Sequence, residues 1–551
     1  WRERYAFTPE RRPRLQQELD RLEVTPLISI VMPVYNPDEV WLRSAIESVC
    51  EQVYPHWQLC ICDDASSREH VGRVLAEYEQ HDERIRVQTR TQNAGIAVTT
   101  NQAIRLASGD FVGFLDHDDE LAPHALAEVV KLLNARPELD VVYTDEEKIT
   151  VQGQRWEPFF KPDWSPDLLR SMNYIGHFCV IRQTLLQELG GLTEGLDGSQ
   201  DYDLLLRLSE KTQHIGHIAK PLYSWRQIAA STALNPQSKP EAQDAGRRAL
   251  LAHVDRQGIA AEVLDEPVTP FRYRVRYDIV GQPRVSILIP TKDRLELLIS
   301  CIESIEQKTS YQNFEIIILD NQSERAETLD YLSQSSHRVV ALPGPFNYSY
   351  LNNAGAKHAQ GDFLLFLNND TKVIAEEWLS AMLEHAQRPG IGAVGAKLLY
   401  ANNTIQHAGV VYGHRGLAGH LFCHMPKDDP GYFGLPRVIR NYSAVTAACM
   451  MMPKAVFDEV GGFDENIKVA FNDIDLCLRV RDKGYNIVYT PYALLYHIES
   501  ASRKSLHPPS DEEYFRRRWE STIQAGDPYY SPHLSLERFD CSYRIFDENQ
   551  L

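Results

Sequence analysis

The sequence predicts an α/β protein made of two copies of one domain, and three observations carry that prediction. An apolar run ending in a turn occurs twice, as LISIVMPVYN at 27–36 and RVSILIPTKD at 284–293. Each run leads into a segment with helical spacing of its apolar residues, AIESVCEQ at 45–52 and CIESIEQK at 301–308. Strand-like and helix-like segments then alternate in the same order in both halves, which argues a mostly parallel central sheet in each.

Taken in order, the remaining blocks match as well. A second apolar strand ends in acid, LCICDDAS at 59–66 and IIILDNQS at 316–323, and Asp63 lies as far beyond Pro33 as Asp320 lies beyond Pro290. NQAIRLASGDFVGFLDHDD at 101–119 pairs with NAGAKHAQGDFLLFLNND at 353–370, a helix, a Gly-Asp turn and a strand that ends in acids. QDYDLLLRL at 200–208 pairs with NDIDLCLRV at 472–480. Four blocks in one order make the chain a duplication. The expected layout is a leading helix at 1–24, a first domain at 25–264, a Pro-containing linker at 265–283, a second domain at 284–505 and an extension at 506–551.

Composition narrows the partners. The chain of 551 residues is too long for one core, and 43% hydrophobic with 24% charged residues is an ordinary folded composition. A net charge of -19 repels a phosphate polyanion, so nucleic acid is not the partner. The longest strongly apolar stretch, Ala444 to Met452, falls far short of the roughly 18 residues that span a bilayer, so any membrane role is expected to be peripheral. Nine scattered cysteines and no signal-peptide pattern fit a cytoplasmic location, at most against the inner face of the cell membrane. Starting at Trp1 without an initiator Met, the sequence leaves room for flanking segments.

In an open parallel sheet, ligands gather beyond the carboxyl ends of the strands, which puts Asp63, Asp116, Asp118 and Asp119 on one rim. A carboxylate there can accept the imide N–H of a uracil or thymine ring, and a D-x-D pair can hold a divalent ion against a diphosphate. Hard oxygen ligands select Mg or Mn over Zn. Strand-end acids also cap helices or sit solvated in turns, and recurrence in both copies weighs toward function.

With these motifs the chain resembles the family 2 glycosyltransferases of GT-A fold, over residues 27–232 and 284–502. The resemblance implies two tandem nucleotide-diphospho-sugar transferase domains, each with a Rossmann-like, mostly parallel sheet. It implies a nucleotide-sugar subsite at Pro33, Val34, Tyr35, Asn36, Asp63, Asp64, Asn93, Asp116 and Arg226 in the first copy. In the second copy that subsite falls on Pro290, Thr291, Asp293, Asp320 and Asn368. The metal positions, for Mn2+ or Mg2+, are Asp118 in the first copy and Asp370 with His497 in the second. The catalytic bases are Asp201 and Asp473, with Asp203 and Asp475 expected to cap the helices that follow.

The second copy departs from D-x-D, carrying Asn368, Asn369 and Asp370, and the first copy lacks the late histidine, keeping Trp225 and Arg226. Similar Asn-containing versions occur in rhamnosyltransferase-like members, so weakened metal binding is expected there. The resemblance implies an inverting hexosyltransferase that moves sugars from UDP- or dTDP-sugars to a lipid-linked or growing glycan, as in O-antigen, capsule or cell-wall synthesis, alongside other polysaccharide-assembly proteins. Two other readings are a single active copy with a glycan-docking partner domain, and a binding protein without turnover.

Three further signals stand apart from this reading. GIGAVG at 390–395 spells G-x-G-x-x-G but follows a helix-like segment, the reverse of a dinucleotide fingerprint. His407, His414, His420, Cys423 and His424 invite zinc, but no tight ligand spacing accompanies them, and an acceptor-facing loop reads better. YFRRRWE at 514–520 offers Arg516, Arg517 and Arg518 either to a lipid diphosphate or to a solvated helix face.

Overall fold

The computed structural model describes residues 2, 7–228, 240–498 and 508–545. The chain divides into two compact units, Trp1–Tyr273 and Arg274–Leu551, here the N-terminal and C-terminal units.

In the N-terminal unit the strands are β1 (Ile28–Val34), β2 (Trp57–Asp63), β3 (Ile85–Thr89), β4 (Phe111–Phe114), β5 (Glu120–Leu121), β6 (Val141–Ile149), β7 (Arg155–Phe159), β8 (Cys179–Arg182) and β9 (Ile215–Arg226). Their order across the sheet is β3-β2-β1-β4-β8-β6-β9-β5, with β7 on β6. β1 runs parallel to β2 and β4, and β6 runs parallel to β9. β8 is inserted antiparallel between β4 and β6, so the sheet is mixed but mostly parallel.

The C-terminal unit repeats this order with Arg338–Ala341, Phe314–Asp320, Val285–Thr291, Phe363–Leu367, Cys449–Pro453, Ile391–Leu399, Asn486–His497 and Thr371–Val373. GIGAVG opens Ile391–Leu399, a buried strand that follows the helix Trp378–Ala386, so it is no phosphate loop.

All seven residues of β1, and of its counterpart Val285–Thr291, are buried, because helices cover both faces of the sheet; that is why they read as unbroken apolar runs. Each large aliphatic side chain so buried contributes about 1.5–3 kcal/mol. The Gly-Asp turn recurs for a steric reason. A Cβ on Gly109 would sit 2.5 Å from the Leu27 carbonyl, and one on Gly361 the same 2.5 Å from that of Arg284.

The expected leading helix is shorter than 1–24, a turn at Pro9–Arg11 and a helix at Arg12–Leu19; residues 1 and 3–6 lie outside the described residues. The segment 265–283, expected as a linker, holds the strand Tyr273–Tyr277. The segment after 506 forms the helix Pro509–Ala525. There Arg518 pairs with Asp464 at 2.7 Å and Arg516 with Glu512 at 3.0 Å, both side chains staying partly exposed. Among the described residues no helix is long and apolar enough to cross a membrane.

Candidate active site

Beyond the ends of β1, β2 and β4 the chain has to turn, and in both units side chains lock those turns together. Asn36 (φ 49) and Asp293 (φ 53) hold the left-handed conformation after the first strand. Asn36 Oδ1 accepts the Ser67 and Arg68 N–H groups, and Asp293 Oδ1 those of Glu324 and Arg325. The middle residue of each acid turn reaches back to the first strand: His117 Nδ1 lies 3.1 Å from the Pro33 carbonyl, and Asn369 Nδ2 donates to Thr291 Oγ1 at 3.0 Å. These ties fix where the flanking acids sit.

In the N-terminal unit they surround a cleft of about 380 Å³ whose lining includes Pro33, Asp116, Asp118, His177, Asp201 and Trp225. Asp201 stands in the first turn of the helix Gln200–Ser209, and Asn173 Nδ2 donates to its Oδ2 at 2.8 Å. Burial pushes the Asp116 carboxyl above the usual range, against the pull of His177 and with Asp118 adding to the rise. Tyr35, 49% exposed, stands at the rim beyond β1.

His177, which no sequence pattern marked, is the residue sequence reasoning missed. Its ring stacks on Tyr223 with centroids 4.6 Å apart, its Nε2 lies 4.0 Å from Asp116 Oδ2, and its Nδ1 lies 3.7 Å from Glu146 Oε2. Behind it the fully buried Lys161 Nζ pairs with Glu146 at 3.1 Å. Burial opposes charge on both members, yet Lys161 and His177 hold Glu146 down at about 2, and Glu146 with Asp116 and Asp119 raises His177 to about 9.

Several expected residues have other work. Arg226 is 1% exposed, its guanidinium donating to the Asp118 carbonyl at 2.7 Å, pairing with Glu120 and lying over the Trp41 ring, so it buttresses the acid turn and is not free for a diphosphate. Asp119 turns inward, accepting from Tyr223 Oη and the Arg226 N–H, and so leaves the rim. Asp64 is buried and binds the Ala94 and Gly95 N–H groups, which shapes the loop carrying Asn93. Asp63 and Asp320 each take the N–H of the residue three further on, Ser66 and Ser323. Val34 is buried, its carbonyl accepting the Asp64 N–H.

Asp203 and Asp475 are not helix caps. Each is the fourth residue of its helix and pairs with an arginine one turn on, Arg207 and Arg479, both at 2.8 Å. Asp475 also accepts from Trp519 Nε1 at 3.0 Å.

In the C-terminal unit the acid turn meets His497. Asp370 Oδ1 lies 3.1 Å from His497 Nε2, Asn368 Nδ2 is 3.2 Å from the same nitrogen, and His497 Nδ1 is 2.6 Å from Gln406 Oε1. Asp473 Oδ2 accepts the Ala447 N–H at 3.0 Å and Oδ1 accepts the Ile474 N–H at 2.9 Å. Of the residues that invite zinc, His407 pairs with His420, His414 stacks on Phe539 and His424 on Tyr400, and no metal-holding group of three His, Cys, Asp or Glu occurs among the described residues.

The duplicated sheet and the paired acid turns agree with the model of one family, Glycosyl transferase family 2, which matches residues 29–190 and 286–461. The chain belongs to this family. It is 48% identical over 543 residues to an uncharacterized protein, y4gI, of Sinorhizobium fredii, covering 96% of the chain and 60% of that protein. It is 45% identical over 552 residues to the O-antigen biosynthesis protein RfbC of Myxococcus xanthus, covering 99% of the chain and 43% of that protein. The chondroitin synthase of Escherichia coli is 31% identical over 204 residues, 37% of the chain and 29% of that enzyme. The chain thus spans about half the length of the first two relatives.

Proposed function

We propose that each unit is a metal-assisted, inverting transferase that takes a UDP- or dTDP-activated sugar and adds it to a growing surface glycan. The observation that carries this reading is the N-terminal cleft, where Pro33, Asp116, Asp118 and Asp201 converge. In it, Asp116 addresses the sugar-nucleotide and Asp118 a divalent ion, while Tyr35 and Asp63, outside its lining at the ends of β1 and β2, address the base. Asp201, held by Asn173, takes the proton of the acceptor hydroxyl as its oxygen bonds the anomeric carbon and the bond to the diphosphate oxygen breaks. In the C-terminal unit Pro290, Thr291, Asp293 and Asp320 frame the nucleotide, and Asp473 is the base.

The donor set fits Mn2+ or Mg2+. Asp370 Oδ1 is buried, has no hydrogen-bond partner among the described residues and faces His497 Nε2. Among the described residues neither unit assembles a group of three protein ligands, so diphosphate oxygens would complete the shell. When bound, the ion neutralises charge on the departing diphosphate. UDP or dTDP is therefore expected to raise the melting temperature modestly alone and more with Mn2+. Equal shifts with and without chelator would sink the metal-assisted reading.

A second reading has its own support. Both Asp473 oxygens accept backbone N–H groups, and Asn368 stands where the other unit has an acid, which suits a C-terminal unit that holds glycan without transferring sugar.

A further inference from the structure

Strand register settles which residues of the two units correspond. Glu120 pairs with Ser224 in the N-terminal unit, and Lys372 pairs with Tyr496 in the C-terminal unit. Glu120 and Lys372 each stand two residues after the last acid of D-x-D or N-x-D, so the next residue on the long strand, Trp225, occupies the place of His497. On the other flank Phe111 pairs with Arg182 and Phe363 with Pro453, each Phe following a Gly-Asp turn. Counting back equally from Arg182 and Pro453, His177 occupies the place of Ala448. Each acid turn therefore meets one histidine, delivered from opposite sides.

The two rings are held differently. His497 Nδ1 is hydrogen-bonded to Gln406 Oε1 at 2.6 Å, whereas His177 is oriented by stacking on Tyr223 and its Nδ1 lies 3.7 Å from Glu146 Oε2 without a hydrogen bond. Nε2 then faces a carboxylate of the acid turn, Asp370 at 3.1 Å and Asp116 at 4.0 Å. A partner at Nδ1 orients an imidazole and leaves Nε2 to address a ligand. Trp225, standing where His497 would be, packs 5.9 Å from the His177 ring and closes the space that a second imidazole would use.

We infer that His177 is the donor-site histidine of the N-terminal unit, its Nε2 a ligand beside Asp118 for the ion of the sugar-nucleotide. It does from just before β8 what His497 does from the end of Asn486–His497. This rests on reading both units as metal-assisted transferases.

The test titrates Mn2+ into the full chain with UDP present and follows free Mn2+ by electron paramagnetic resonance. Two sites per chain are expected. His177→Ala and His177→Gln should each weaken one of them by at least about ten-fold, and His497→Ala should weaken the other. Adding Trp225→His to His177→Ala returns an imidazole to the acid turn and should restore the lost site, which a merely structural role for His177 does not predict. Two unchanged sites in both His177 variants overturn the inference while the transferase reading stands. A loss that Trp225→His fails to restore also overturns it, leaving His177 as a packing residue for Tyr223 and Glu146. A wild-type chain that binds no Mn2+ with UDP removes the metal-assisted reading and this inference together.

Discussion

The N-terminal unit sets two carboxylates, Asp116 and Asp118, on its acid turn and brings its histidine from just before β8. The C-terminal unit keeps one carboxylate, Asp370, beside an amide and brings its histidine from the opposite flank. The candidate bases differ too: Asp201 is held by a side-chain amide, Asp473 by two backbone N–H groups. What does not differ is the support, since strand order, register and the Asn36/Asp293 tie recur. A scaffold fixed by burial tolerates exchange of the few side chains on its rim.

The largest expected effect separates two working sites from one. Asp201→Asn and Asp473→Asn preserve shape but cannot accept a proton, so each should cut its own transfer step about 10²–10⁴-fold. Product analysis should show the glycan stalled at a different residue in each variant. A silent Asp473→Asn beside an inactive Asp201→Asn would make the C-terminal unit a glycan holder.

Next come the acids of the turn. Asp118→Ala and Asp370→Ala should each lower the matching step about 10²–10³-fold. Asp370→Ala should lose more Mn2+ affinity, because Asp116 remains in the other unit; equal losses would mean that Asp116 does not help hold the ion.

Stability offers a third contrast. Breaking a buried ion pair costs about 3–5 kcal/mol, and both Asp203→Ala and Asp475→Ala do so. Asp203 also takes the Thr193 hydroxyl at 2.7 Å and lies 4.0 Å from Arg256, whereas Asp475 anchors the buried Trp519 and lies 3.3 Å from Arg518, so loss of Asp475 should lower the melting temperature more. Equal shifts would show that the C-terminal helix does not depend on it.

The smallest effect is that of pH. Burial lowers His124 to about 4 and lowers His253 in the N-terminal unit. It lowers His414 to about 4, and His407 well below its ordinary value, in the C-terminal unit. Unfolded histidines take up protons near 6.5, so these four stabilise fully above that pH and lose their contribution as it falls toward 4. Against burial, acidic neighbours raise His177 and His217, whose contribution is present below 6.5 and lost as the pH rises. Of the histidines named, those raised all lie in the N-terminal unit, so hydrogen exchange at pH 5 against pH 7.5 should show the C-terminal unit loosening first. Matched loss in both units would deny the offset.

The repeat was legible because buried parallel strands must be apolar throughout and because a Gly-Asp turn that admits no Cβ must recur. That Asp116 and Asp118 share a rim followed from strand ends lying on one side of a sheet, whereas Asp201, on a helix, was reached only through the family resemblance. What sequence hid was the state of each charge. Asp119, Arg226 and Asp64 look like rim residues but are buried and spent, and Asp203 and Asp475 look like caps but pair one turn on. Glu146 and Lys161 become visible only once β6 and the segment after β7 lie beneath His177. Pairing across strands leaves no mark on spacing along the chain.

Because positions 177 and 448 flank the acid turn on one side and 225 and 497 on the other, the turn has room for an imidazole from either strand. A histidine introduced at 448 or at 225 would therefore offer the acid turn an imidazole from its second flank, and at 225 it would replace the indole that lies 5.9 Å from the His177 ring.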